Sequence, residues 1–276
     1  MKIGTFGLQE KERLFWCNGD NSKEVEDYMR SHEITRIVFS LNEFQDNTVT
    51  LHKPFDFVEE VDILDTNITN LSFIYEFPNL KRLNIQNADK TKIDFDHFWR
   101  LEEVFLTWRK GITNLLDKKS LKTLTLNRFK EKALIVGDDM LLEEIRIINS
   151  PIENLSSLSK LTNLVKVELA YLRLLEDSSW LKSMKNLEEL IIISCKKMSP
   201  TILYNISELP YLRKLFFENT GVIPTLKPIE NMRSLEEISF IVNTKIEDGD
   251  MRPLSKLPNL KKLNRGLEIL LQQQMK

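Results

Sequence analysis

The sequence predicts an α/β solenoid: a curved stack of similar units, with a parallel inner β-sheet and short helices and turns on the convex side. Three observations predict it. A four-residue phrase, two apolar residues fencing two polar ones, recurs eleven times between Ile34 and Leu263, as in Val58-Glu59-Glu60-Val61, Leu80-Lys81-Arg82-Leu83 and Leu142-Glu143-Glu144-Ile145. Successive phrases begin 20 to 25 residues apart. Two positions beyond each of the first ten stands a further apolar residue: Phe39, Ile63, Ile85, Leu106, Leu126, Ile147, Leu169, Ile192, Phe217 and Phe240. Apolar side chains at alternate positions share one face of a strand. Strands recurring at this interval stack in parallel, because each unit must return to the same edge before the next strand begins.

The elements follow in order. Residues 1–33 lie outside the repeat and read as an N-terminal cap. Within them Leu14-Phe15-Trp16-Cys17 is a strand candidate, and Asn21-Ser22 followed by Glu24 and Val25 starts a helix running to about Arg30. Such a cap covers the first exposed strand edge. Residues 34–263 form the repeats. Their return segments carry apolar spacing, as at Ile152, Leu155, Leu158 and Leu161, and short helices are expected over Ser178 to Met184, Pro200 to Leu209 and Pro253 to Leu257. Pro78, Pro210 and Pro258 stand two residues before the next phrase, where a proline stops a helix and favours extended backbone. From Lys90 to Val136 the repeats shorten to 20 and 21 residues, which leaves little room for a helix. Residues 264–276, with Leu267 to Leu271 and then Gln272 to Gln274, read as a C-terminal cap helix.

The pattern L-x-x-L-x-L at this period resembles the leucine-rich repeat family from about Ile34 to Leu263, in its 22-residue-type subclass of internalin-like and phosphatase-regulator-like units. The resemblance implies recognition of a partner protein through the concave sheet, with specificity in the non-leucine strand positions. The chain departs from the family at the position three residues beyond the second strand leucine, where Asn or Cys is usual. Here it reads Thr66, Ala88, Arg109, Phe129, Ser150, Leu172, Cys195, Thr220 and Asn243, so a patchy side-chain ladder is expected.

Charge alternates between successive phrases. In a parallel stack equivalent side chains lie about 4.8 Å apart. Glu60, Arg82 and Glu103, and then Glu144, Lys166, Glu189, Lys214, Glu237 and Lys262, should therefore pair sideways and fix register, each pair contributing about 0.2 to 1 kcal/mol.

Composition excludes several functions. A net charge of -2 and a pI near 6.1 argue against nucleic acid as partner. No apolar run is long enough for a membrane span, and the N-terminus lacks the apolar core of a secretory signal, so a cytoplasmic protein is expected. Cys17 and Cys195 are too few for a disulfide framework. His32, His52 and His97 have no zinc-type spacing; Asp94, Asp96 and His97 share a loop but read as a solvated cluster. No catalytic constellation, metal site or cofactor site is read, and an enzyme is not expected. The Asn-x-Ser/Thr triplets at Asn67, Asn70, Asn154 and Asn205 read as chance matches in an Asn-rich chain.

The open face of the sheet remains. Solvent-facing strand positions are normally polar, yet Phe105, Trp108, Ile148, Tyr171, Ile191, Ile193, Phe216 and Ile241 fall there, accompanied by Arg128 and Arg146. An apolar stripe with aromatic anchors is the expected mark of a protein partner, and these ten residues are the candidate partner-binding set. The alternative is that the C-terminal tail folds back over Ile191, Phe216 and Ile241. The expected function is a non-catalytic protein-binding module, with a bacterial immunity or inhibitor protein as one form and a secreted or surface adhesin as the alternative.

Overall fold

A computed structural model of the protein describes residues 13–16, 22–39, 49–51, 53–64, 66–87 and 89–275. Cys17, Asn21, His52 and Ala88 lie outside the described residues. The chain divides into two compact units, 1–127 and 128–276.

In the first unit six strands pair in parallel in chain order: β1 (Arg13–Trp16), β2 (Arg36–Phe39), β3 (Glu60–Ile63), β4 (Arg82–Ile85), β5 (Glu103–Thr107) and β6 (Thr123–Asn127). The helix α1 (Ser22–Ser31) lies between β1 and β2. In the second unit six more do the same: β7 (Glu144–Ile148), β8 (Lys166–Ala170), β9 (Glu189–Ile193), β10 (Lys214–Glu218), β11 (Glu237–Ile241) and β12 (Lys262–Leu263). Every recurrent phrase from Ile34 onward thus meets a strand, and its third residue is the first strand residue each time, as at Arg36 in β2 and Glu189 in β9.

The return segments are short because only about 15 to 20 residues separate successive strands. They form 3-10 turns at Ser72–Glu76, Ser156–Lys160 and Ser179–Ser183, and α-helices α2 (Ser199–Ile206) and α3 (Arg252–Ser255). Between residues 90 and 136 the described chain holds a 3-10 turn at Phe95–His97 and a two-residue parallel pair, Ile93–Asp94 with Ile112–Thr113, and no α-helix. The last helix, α4 (Arg265–Gln274), buries Leu267 and ties its end back through the Gln274 side chain, which accepts from Met251 N at 2.8 Å and donates to Gly249 O at 2.5 Å.

The core is the predicted apolar set. In one repeat Leu164, Val167 and Leu169 are all fully buried, and the same holds for Leu187 and Leu190 in the next. Truncating such a side chain to alanine costs about 2 to 5 kcal/mol. The first unit adds aromatic packing, with Phe39 on Phe73 at 4.9 Å and Phe55 on Phe77 at 5.9 Å between ring centroids. Phe217 stacks on Phe240 at 5.3 Å in the second.

Side chains lock repeat to repeat in two ways that spacing alone leaves open. Asn79, Asn186 and Asn259, each just before a phrase leucine, donate to main-chain carbonyls of the preceding repeat, at Asp56 (2.6 Å), Thr162 (2.8 Å) and Arg233 (2.8 Å). The inner ladder is patchy as expected but slides by one residue at two places. Asn87 rather than Ala88 donates to Ile68 O at 2.8 Å, and exposed Asn243 yields its place to Thr244, whose Oγ1 meets Thr220 N at 3.2 Å. Ser150 Oγ accepts from Phe129 N at 3.0 Å. Cys195 lies buried with Sγ near Leu169 O and Ile193 O, and burial pushes its thiol up to about 11. Such a thiol is structural and poorly nucleophilic.

Candidate interaction surface

Strand alternation sends one set of side chains to the core and the other to the open face of each sheet. In the second unit the register fixes three rows on that face. The first row holds the charges at the strand starts: Lys166 lies 3.8 Å from Glu144 and 4.0 Å from Glu189, Lys214 2.7 Å from Glu189, and Lys262 2.7 Å from Glu237. A parallel row just outside the strands pairs Arg213 with Glu188 (3.7 Å) and Glu236 (3.1 Å), and Lys261 with Glu236 (2.9 Å). The alternation of the phrases is thus satisfied sideways. The first unit repeats it, with Lys81 on Glu59 and Lys122 on Glu102, both at 2.8 Å.

The second row runs Arg146, Glu168, Ile191, Phe216 and Ser239. Arg146 and Glu168 form an ion pair at 2.7 Å, leaving Ile191 and Phe216 as an adjacent apolar pair, both half-buried. They floor a groove of about 380 Å³ with Ser239 and the aliphatic stems of the first row. No residue of α4 lines that groove, but Asn264, just before it, does. The third row runs Ile148, Ala170, Ile193, Glu218 and Ile241, in which Ala170 is buried and the isoleucines are half-buried.

A fourth row closes the strands. Arg128, Asn149, Tyr171, Ser194, Asn219 and Val242 all adopt left-handed backbone, with φ between 51° and 60°. This turn keeps the ladder intact: the N–H of Asn149 donates to Ala170 O at 2.9 Å, that of Tyr171 to Ile193 O at 2.8 Å, and that of Ser194 to Glu218 O at 2.8 Å. It also projects Tyr171, 45% exposed, and Val242, 67% exposed, along the rim. Asparagine tolerates this backbone; a β-branched valine does so at a cost of about 1 to 2 kcal/mol.

Two solved structures are similar to this chain. One is an internalin from Listeria monocytogenes, 17% identical, with a TM-score of 0.53 over 86% of this chain and 82% of that one. The chain has the leucine-rich repeat fold. The other is a leucine-rich repeat protein from Leptospira interrogans, 16% identical, with a TM-score of 0.36 over 93% of this chain and 85% of that one. No protein-family model matches the chain, and no curated protein does.

Within this repeat fold the ten candidate residues are shared between the two units. Phe105 and Trp108 belong to the first unit, where Phe105 is flanked in register by Asn84 and Thr125, both buried. Some open-face positions of that unit, expected to meet solvent, are buried, while Leu64 and Gln86 are exposed. Asp62 is 2% exposed because Arg36 reaches its Oδ2 at 2.7 Å, Arg82 its Oδ1 at 2.9 Å, and Asn84 Nδ2 its Oδ1 at 2.8 Å. Sequence position alone places Asp62 on the open face; the long arginines of the neighbouring strands fold over it. Arg128, Arg146, Ile148, Tyr171, Ile191, Ile193, Phe216 and Ile241 lie in the second unit, where Ile191, Ile193 and Phe216 are brought together.

Other candidate chemistry falls away. Asp94 and Asp96 are occupied with Asn114, whose Nδ2 donates to Asp94 Oδ1 at 2.8 Å and Asp96 Oδ2 at 2.9 Å, while His97 packs on Tyr75 with 4.8 Å between ring centroids. Among the described residues no cluster of three or more His, Cys, Asp or Glu could hold a metal ion, and no helix is long and apolar enough to cross a membrane. Asn205, one of the sequon asparagines, is buried and donates to Ser178 Oγ at 2.6 Å. The left-handed row is what sequence reasoning missed; the recurrence of Asn149 and Asn219 one residue past the strand was its only signal.

Proposed function

We propose that this protein is a non-catalytic binding module that engages a partner protein through the open sheet face of its second unit. In this reading it is a cytoplasmic bacterial protein that neutralises its partner, as an immunity or inhibitor protein does. The observation that carries it is the Ile191 and Phe216 groove, an apolar recess in a face whose strand-start charges are already paired with one another. A solvated sheet face gains nothing from a half-exposed phenylalanine beside an isoleucine; burial against a partner releases that water and stabilises the complex. Anchors of this kind contribute about 2 kcal/mol or more each in interfaces where they are fully desolvated.

The test is capture of the partner from the native host's lysate by wild-type protein and by a variant with Ile191 and Phe216 changed to Ser or Asp. The substitutions lie on the open face, so the fold should survive, and the captured partner should be lost. Equal capture by both proteins would refute the surface. Identification of the captured protein as a toxin supports the neutralising role; a cell-envelope receptor contradicts it.

A further inference from the structure

The second unit holds a second recess beside the apolar groove. It has a volume of about 400 Å³ and is lined by Tyr171, Arg173, Ser194, Lys196 and Asn219, all at or just beyond the left-handed row. The groove floor at Ile191 and the recess wall at Ser194 belong to one strand and its exit, three residues apart, which is about 10 Å along an extended chain. Any segment filling both must therefore carry two side chains separated by about that distance.

Charge decides what the second side chain is. The strand-start cations are neutralised in place: Lys166, Lys214 and Lys262 by glutamates, and Arg146 by Glu168. Arg128 and Arg173 are exposed and form no ion pair among the described residues. Arg173 and Lys196 both line the recess, and no acidic residue does; Glu218, on β10 of the same face, lies outside that lining. Lys196 has a partner of its own, so the unpaired positive charge of the recess is that of Arg173, and at its edge Asn219 Nδ2 donates to Ser194 Oγ at 2.9 Å. A guanidinium without a carboxylate of its own offers a bidentate site to one from outside.

From these features we infer that the partner presents an extended acidic segment. An apolar side chain enters the groove at Ile191 and Phe216, and a carboxylate about three residues along reaches Arg173. This rests on the protein-binding reading above and names the chemistry of the bound segment. Tyr171, at φ 60°, forms one wall of the recess.

The test uses three short fluorescein-labelled peptides in a Gly/Ser background, one carrying Phe-Ser-Gly-Glu, one Phe-Ser-Gly-Lys and one Ser-Ser-Gly-Glu, with binding to the full chain read by fluorescence anisotropy at low salt. The Phe and Glu peptide should bind about tenfold more tightly than either of the others. Arg173→Glu should invert the preference between the Glu and Lys peptides, while Arg173→Lys should retain it. Binding of both Phe peptides with equal strength, lost in Phe216→Asp, overturns the acidic chemistry and leaves the protein-binding surface standing. Binding that persists in Phe216→Asp overturns both, and failure of all three peptides to bind overturns the extended-segment proposal.

Discussion

Val242 illustrates what a single residue reveals here. It is β-branched, 67% exposed and held at φ 58°, a backbone region that asparagine occupies more cheaply in the same row at Asn149 and Asn219. Val242→Asn should therefore stabilise the protein by about 1 kcal/mol, raising Tm by about 2 to 4 °C in thermal unfolding followed by circular dichroism. A fall in Tm would show that Val242 makes a contact worth more than its strain. Asp62 is the opposite case, a buried carboxylate between Arg36 and Arg82. Asp62→Ala removes the carboxylate the two partly buried guanidinium groups share, leaving Arg36 with Glu60 and Arg82 with Glu103, and should cost about 2 kcal/mol in urea unfolding. A loss below about 1 kcal/mol would mean that the arginines simply turn to water.

At the scale of elements, the recurrent phrase specified strand position and register, because a period of two allows only one choice of buried face. Each return segment was legible to the extent that its length was: Pro253-Leu254 begins a short helix at α3, and the short repeats around residues 90 to 136 hold none. What spacing could not encode is how far a long side chain reaches. Asp62 occupies a solvent-facing position by count and is buried because Arg36 and Arg82 lie across it. The inner ladder shifted to Asn87 and Thr244 because a turn can add or drop one residue without moving the strands, so a fixed offset misses the side chain that reaches the neighbouring carbonyl. The candidate surface was legible as a list of apolar residues on the open face. That Ile191 and Phe216 meet at a groove came from register, as did the buried Asn84 and Thr125 beside Phe105.

The molecule as a whole carries charged rows in both units, and their titration sets the pH range of stability. Glu102, Glu236 and Glu237 are each held below their ordinary 4.5 by hydrogen bonds from Lys122, Lys261 and Lys262 respectively. A lowered carboxylate stabilises the fold fully above its unfolded value, and that share is lost as pH falls through the folded one. Lys214 is raised above 10.5 by its hydrogen bond to Glu189, so its share is present below that value and is lost as pH rises beyond it. Tm should therefore be flat between about pH 5 and 10 and fall on acidification below about 4.5, with the acid loss smaller in high salt because these pairs are exposed. A Tm that rises on acidification would contradict the assignment of these rows as stabilising pairs.

The central claim is that the open sheet face of the second unit is where a partner sits. A photo-reactive phenylalanine analogue placed at Ile193, in that face, and separately at Tyr204, exposed on α2, tests it directly by crosslinking in host lysate followed by mass spectrometry. Crosslinking of one protein at Ile193 and none at Tyr204 is the predicted result. The same protein crosslinked at Tyr204 and absent at Ile193 would place the partner elsewhere and contradict the account.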